Sequence, residues 1–245
     1  MLSRLGMYNG LRDFLNSYRM DNSSRKAFLA QFVQPGSLCF DIGANIGEKT
    51  DLLRSLGCKV VACEPQKECA DYLRKKYRND PQVIVVEKAI ASFEGTSEFF
   101  LCGVNQLSTL SGNWVKALKE GGRFGELEWG RKITVPTTTL FNLTKEFGNP
   151  VFLKADVEGF EYEVLKTLTM KISCVCFEFA LPENWESLEN SLKHLDGLGD
   201  AKYNFSCNNK SFVLDSWGKS QPLIDFLKEN FKKYTCGDIF VKYAD

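Results

Sequence analysis

Asp41, Glu64, Asp156 and Glu178 each stand at or near the end of a short apolar run, and Glu158 follows Asp156 across a single valine. Carboxylates placed like this can hold hydroxyl groups or cations, or take the proton from a nucleophile that must lose one. After Asp41 come Gly43 and Gly47, with three residues between them. A glycine turn from strand to helix lets backbone approach a ligand, and free N–H groups at a helix start welcome an anionic group. A dinucleotide cradle needs G-x-G-x-x-G, and Gly43-Ala44-Asn45-Ile46-Gly47 lacks the middle glycine that admits a pyrophosphate. Asp41 opposes a diphosphate as well, since two like charges about 5 Å apart at an effective dielectric of about 20 repel by roughly 3 kcal/mol. A nicotinamide dehydrogenase is disfavoured on both counts.

A ligand of mixed charge suits the pattern better. S-adenosylmethionine carries a carboxylate, an ammonium, a sulfonium and a ribose diol. Its carboxylate suits N–H groups of the turn formed by Gly43, Ala44, Asn45 and Gly47. Asp41 then faces the ammonium, or the sulfonium through water. Glu64, followed by Pro65, ends the second apolar run, where a carboxylate can accept both ribose hydroxyls. Lys88 and Ala89 close the stretch Val83–Ala89, where an adenine edge would fall.

If the methyl of such a donor passes to an oxygen, the acceptor must be aligned, water excluded and a proton removed. Asp156, counted with the cofactor residues too, is the first candidate to take that proton. Glu158 is the second and Glu178, on the adjacent strand, the third. Two other readings stay open. Glu158 could simply charge a helix start, where acids are favoured. The acids could instead hold a divalent metal that orients a diol. Nothing else in the sequence supplies ligands, so the expectation is no metal.

To bring these residues together, strands and helices must alternate. The spacing predicts helices over Asn9–Met20 and Ser24–Val33, then a break at Gln34-Pro35-Gly36. Strands follow at Leu38–Phe40, Lys59–Cys63 and Val83–Val86, with helices over Asn45–Leu56 and Gln66–Arg78 between them. A turn at Glu94-Gly95 leads into another strand. Asn105–Gly130 has no long periodic run, and a connection this long is usually functional or disordered. Trp114, Phe124 and Trp129 within it could close a lid or act as packing anchors. Lys116, Lys119, Arg123, Arg131 and Lys132 could meet an anionic acceptor or form a solvated surface. Arg131–Pro136 reads as a strand, Thr139–Phe147 as a helix, Val151–Asp156 as a strand and Glu158–Leu168 as a helix. Ile172–Ala180 is a strong strand, and Trp185, Leu188, Leu192 and Leu195 mark a helix. Strand candidates Lys202–Phe205 and Phe212–Leu214, a helix over Pro222–Phe231 and a strand at Asp238–Tyr243 finish the chain. Repeated strand–helix units imply a parallel sheet, and runs that are apolar throughout imply one covered on both faces. Ligands in such folds sit at the carboxyl ends of the strands, where the acids lie.

The motifs "FVQPGSLCFDIGANIGEKT", "VVACEPQ", "VVEKAIAS", "LSTL", "VPTTTLFNL" and "FLKADVEGFEYEVLKTL" occur in order. The chain resembles the FkbM family of S-adenosylmethionine-dependent methyltransferases over roughly Gln34–Ala180. That resemblance implies an α/β, class I Rossmann-like fold with a mostly parallel seven-stranded sheet and helices on both faces. Residues 1–34 would form a helical extension and 35–245 the methyltransferase domain. The resemblance also implies O-methylation of small molecules, sugars or natural products. By it, Asp41, Gly43, Asn45, Gly47 and Glu64 map onto the cofactor site, and Asp156 and Glu158 onto an acidic motif beside the transferred methyl. N-methylation of a peptide or amide nitrogen, or a binding module without turnover, are the alternatives.

Bulk properties narrow the partners. The 245 residues carry 31 Lys+Arg against 31 Asp+Glu, so no net charge recruits nucleic acid or an anionic membrane. No apolar run is long enough to span a bilayer, and Met1–Gly10 lacks the apolar centre of a secretory signal. The nine cysteines include no C-x-x-C pair, which points to reduced, buried thiols in a cytoplasmic enzyme. The sequons at Asn22, Asn142 and Asn204 then carry no weight. His194 is the sole histidine and falls off the apolar stripe of its helix. A solvated imidazole is expected there, and Ser–His or Cys–His nucleophiles are not.

Overall fold

The structure, a computed structural model, describes residues 22–103, 105–121 and 129–243. The expected helix over Asn9–Met20, and Arg123 and Phe124, lie outside these residues. The described chain begins with α1 (Asn22–Leu29), β1 (Leu38–Ile42), α2 (Glu48–Ser55), β2 (Lys59–Cys63), α3 (Lys67–Lys76) and β3 (Val83–Val86). It continues through β4 (Ala89–Ile90), β5 (Gly95–Leu101), α4 (Gly112–Gly121), β6 (Arg131–Thr138), α5 (Leu140–Phe147) and β7 (Phe152–Ala155). Then come α6 (Glu161–Leu165), β8 (Cys174–Ala180), α7 (Trp185–Gly197), β9 (Ala201–Ser206), α8 (Ser220–Asn230) and β10 (Cys236–Tyr243).

Among the described residues, seven strands form one sheet in the order β3-β2-β1-β7-β8-β10-β9. The pairs from β3 through β8 are parallel, and β10 runs antiparallel to both β8 and β9. A smaller sheet, β4-β6-β5, is built between leaving the main sheet at β3 and returning at β7. Side chains along the main strands alternate between two cores, as strand geometry dictates. Phe40, Val61, Leu153, Val175 and Ile239 face a core that includes Leu165, Leu188 and Leu227 from α6, α7 and α8. Cys39, Val60, Phe152, Cys174, Cys176 and Phe240 face the other, with Phe28, Leu29, Leu52 and Leu53 from α1 and α2. The α1 end of the chain is thus part of the sheet's cover, with the Phe32 ring stacked on Phe240 at 5.2 Å.

Four departures from the predicted elements matter. The first α/β helix starts at Glu48 instead of Asn45, because Asn45 and Gly47 adopt positive φ of 48° and 83°. The helix after β7, Glu161–Leu165, starts three residues later than expected, because Glu158 and Gly159 take φ of 54° and 82°. Glu158 therefore belongs to a left-handed turn and does not charge a helix start. The stretch Asn105–Gly130 holds a helix, α4, whose Trp114, Val115 and Leu118 pack with Leu107 and Trp129 in a core of their own. Phe212–Leu214 is no strand. It runs beside β9, with Val213 N–H donating to the Phe205 carbonyl and the Asn204 side chain donating to the Leu214 carbonyl.

Candidate functional site

Register places the acids. Ile42 is level with Cys63 and Ala155, and Ala155 with Phe177. The next row therefore holds Gly43, Glu64, Asp156 and Glu178, with Asp238 directly opposite Glu178. The ladder continues into that row: Gly43 N–H donates to the Cys63 carbonyl (2.9 Å) and Asp156 N–H to the Ile42 carbonyl (2.9 Å). Asp41 lies two rows back, level with Lys154.

The first turn is internally tied. Ala44 N–H donates to the Cys63 carbonyl and Gly47 N–H to the Ala44 carbonyl. Asn45 N–H donates to Glu64 Oε2 at 2.9 Å, and Gln66 N–H donates to Glu64 Oε1 at 2.8 Å. The amides of Gly43, Ala44, Asn45 and Gly47 thus have protein partners, and the Glu64 carboxylate clasps two loops. Burial pushes the Glu64 carboxyl up to about 7, with those two amides pulling the other way. Asn45 Oδ1 is buried without a partner. Asp41 is buried and accepts the Thr50 hydroxyl at 2.6 Å; burial raises its pKa and that hydrogen bond lowers it. Gly43 has φ 82°, and a Cβ there would sit 1.8 Å from the Asp156 carbonyl oxygen. The first turn and the acidic turn are in backbone contact, which no other residue type permits.

The acidic turn, Asp156 to Gly159, is held from three sides. The Thr109 hydroxyl reaches the Glu158 carbonyl at 2.7 Å. Glu161 Oε1 accepts the N–H groups of Val157 (3.1 Å) and Gly159 (3.3 Å), and its Oε2 accepts from the Asn184 amide (3.2 Å). The Trp114 ring lies against Gly159. Asp156, Glu158 and Glu178 each place a carboxylate oxygen within 4.8 Å of the others. Burial, then the nearby Asp156 and Glu161 charges, raise the Glu158 pKa well above the usual carboxylate range. Burial, then Asp156 and Glu158, do the same for Glu178.

Behind this turn Lys154, 2% exposed, bridges Asp156 (3.2 Å) and Asp238 (2.5 Å). Burial disfavours its ammonium, but Asp156 and Asp238 hold its pKa well above the ordinary value. Asp238 Oδ2 also accepts from the Asn209 amide at 2.5 Å, and Lys49 on α2 donates to Asn209 Oδ1 at 3.3 Å.

The sequence model of the Methyltransferase FkbM domain matches residues 41–205, more than half of the chain. The chain belongs to the FkbM methyltransferase family. It is an S-adenosylmethionine-dependent methyltransferase of class I fold. No curated protein matches it. Among solved structures it is similar to precorrin-6y C5,15-methyltransferase from Geobacter metallireducens, at 11% identity and TM-score 0.44 over 90% of this chain and 87% of that one. A TehB-like SAM-dependent methyltransferase from Corynebacterium glutamicum matches at 10% identity and TM-score 0.45, covering 99% and 100%. An O-methyltransferase from Bacillus cereus in complex with SAH matches at 11% identity and TM-score 0.44, covering 90% and 79%.

In this FkbM-family enzyme, register brings Gly43, Glu64, Asp156 and Glu178 to one edge, and Glu158 joins them through its turn. Ala89 is paired in β4, opposite Thr137, and Lys88 extends to within 3.7 Å of Glu94. Pro65 separates Glu64 from Gln66, the donor of one clasp. Trp114 and Trp129 are 5% exposed packing anchors, with Trp129 Nε1 donating to the Leu107 carbonyl. Of the loop cations, Lys116 lies 3.8 Å from Glu120 and Lys132 3.0 Å from Glu98. His194 is half-buried, its Nε2 2.9 Å from the Leu168 carbonyl oxygen, so it is not the solvated imidazole expected. No helix among the described residues is long and apolar enough to cross a membrane.

Lys154, Thr109, Glu161 and Asp238 escaped sequence reasoning. Lys154 had a signal: a lysine inside an apolar strand is costly unless paired. Thr109 and Glu161 lay within recognised motifs, yet their type alone does not say that they bind backbone.

Proposed function

We propose that this methyltransferase moves the methyl group to a hydroxyl oxygen of a small molecule or glycan. We assign the cofactor to the edge formed by Asp41, the Gly43–Gly47 turn, Glu64 and Asp156. The residues fit the group. Asn45 Oδ1 is a buried acceptor that lacks a donor, and the Glu64 carboxylate, holding two backbone amides and the Gln66 side chain, retains an acceptor site for a hydroxyl donor. Lys88, Ala89 and Pro65 stay assigned to the adenine side. When bound, S-adenosylmethionine supplies an activated methyl carbon.

One observation carries the choice of oxygen: the convergence of the Asp156, Glu158 and Glu178 carboxylates within 4.8 Å of each other. Burial and mutual repulsion favour the protonated form in Glu158 and Glu178, so this cluster binds a proton at pH values where an ordinary carboxylate sheds it. A hydroxyl must give up its proton as the O–C bond forms and the C–S bond breaks, its electron pair staying on sulfur. The Asp156 carboxylate, the member with Lys154 beside it, is the first acceptor for that proton, Glu158 the second and Glu178 the third. Seven buried free cysteines support a reducing, cytoplasmic setting.

The test is incubation with S-adenosylmethionine and a panel of sugars, polyols, phenols and amines. S-adenosylhomocysteine formation is followed, and the methylated atom is located by NMR. An O-methyl product is expected. Exclusive N-methylation, or no turnover with any acceptor, would overturn the proposal.

A further inference from the structure

The acids at this edge divide into two kinds. Asp41, Glu64, Glu161 and Asp238 each accept hydrogen bonds from named donors. Among the described residues, the carboxylates of Glu158 and Glu178 have neither a hydrogen-bond donor nor an ion-pair partner. Glu158 is 7% exposed, and its oxygen is aimed at those of Asp156 and Glu178, within 4.8 Å of both. Lys154 reaches Asp156 alone of the three and shares its charge with Asp238. A buried acid with no donor, pointed at two more acids, is settled either by the proton it holds without a ligand or by a cation that displaces that proton.

We propose that Asp156, Glu158 and Glu178 hold one hard divalent cation, magnesium or calcium, which grips the oxygens of the methyl acceptor. An ion with metal–oxygen bonds of about 2.1–2.4 Å spaces its ligand oxygens roughly 3–5 Å apart, which matches the cluster. An all-oxygen donor set selects such ions over zinc, which prefers nitrogen and sulfur. Three carboxylates leave further coordination positions open for two neighbouring acceptor hydroxyls and water. The cation would lower the pKa of the hydroxyl it touches, with that proton leaving to water or to a carboxylate oxygen off the ion. Vicinal diols, as in sugars and polyols, are therefore the acceptor class that this site favours. The proposal rests on the hydroxyl reading above.

The experiment is titration of the chelator-stripped full chain with Mn²⁺, followed by electron paramagnetic resonance without cofactor. One saturable ion per chain is expected, displaced by Mg²⁺ or Ca²⁺. Glu158→Gln and Glu178→Gln should each weaken it at least about tenfold, while S-adenosylhomocysteine affinity stays within a few-fold and so reports an intact fold. Should Glu158→Gln fail to fold, Glu178→Gln on the sheet carries the test. No saturable Mn²⁺ binding, or binding unchanged by the variants, overturns the site. O-methylation that survives exhaustive EDTA overturns the cation's role in the reaction and leaves the hydroxyl reading standing. An N-methylated product overturns the hydroxyl reading and the diol grip, whereas the Mn²⁺ count judges the site independently.

Discussion

Glu64 combines deep burial, at 3% exposed, with two backbone donors at its carboxylate. Burial dominates and lifts its pKa to about 7 in the folded protein, from 4.5 when unperturbed. Between those two values the folded state holds a proton that the unfolded chain has released. Folded stability therefore falls as pH rises through this window, and the contribution present below about 4.5 is gone above about 7. The shift corresponds to about 3 kcal/mol over the full window. In urea melts without cofactor, Glu64→Gln should flatten that decline relative to wild type. Equal slopes for the two proteins would remove the assignment. As a strand-ending acid Glu64 was legible in sequence. Its clasp was not, because the donor at Asn45 lies 19 residues away and is delivered only by the sheet. The same limit hid Thr109, which bonds a carbonyl 49 residues on.

The acidic turn is an element in its own right, although it is neither strand nor helix. Gly159 occupies φ 82°, and an added Cβ would come within 2.5 Å of Trp114 Cγ. Gly159→Ala thus combines left-handed strain with displacement of a buried indole, together about 2–5 kcal/mol. Thermal melts should show a large loss, accompanied by a drop in methyl transfer as Glu158 moves. Gly130→Ala, where nothing lies within 4 Å of the added Cβ, should stay within about 0.5 kcal/mol of wild type. A Gly159→Ala protein as stable as the Gly130→Ala control would mean that the indole does not pin the turn. Both predicted helices that began too early failed at turns like this one. Apolar spacing reports which face is buried, whereas the positive φ of Asn45 and Glu158, neither a glycine, leaves no trace in it. Helix α4 was missed for a different reason: Trp114, Val115 and Leu118 make only a short apolar stripe, and glycines flank it.

Across the whole molecule, two-sided burial of the sheet was readable from its apolar strands, but the joining of its parallel and antiparallel parts was not. Lys154 on β7 reaches past β8 to Asp238 on β10, and Asn209 carries the contact on to Lys49 of α2. Segments far apart in the chain meet there, so no local pattern announces them. The lysine also sets the charge behind the acidic turn, since Asp238 is held below its ordinary pKa by Lys154 and Lys49 although burial opposes them. Removing Lys154 alone should be more damaging than removing the pair's charges together. Lys154→Met leaves Asp238 ionised, buried and without its ammonium, at a cost of about 3–5 kcal/mol. Adding Asp238→Asn removes that orphaned charge while keeping an oxygen for the Asn209 amide. The double variant should then recover at least about 1 kcal/mol over Lys154→Met in guanidinium unfolding, a departure from additivity expected only of partners in contact. If the two costs simply add, Lys154 and Asp238 do not act as one unit, and the tie between the sheet's halves is carried by the β8–β10 ladder alone.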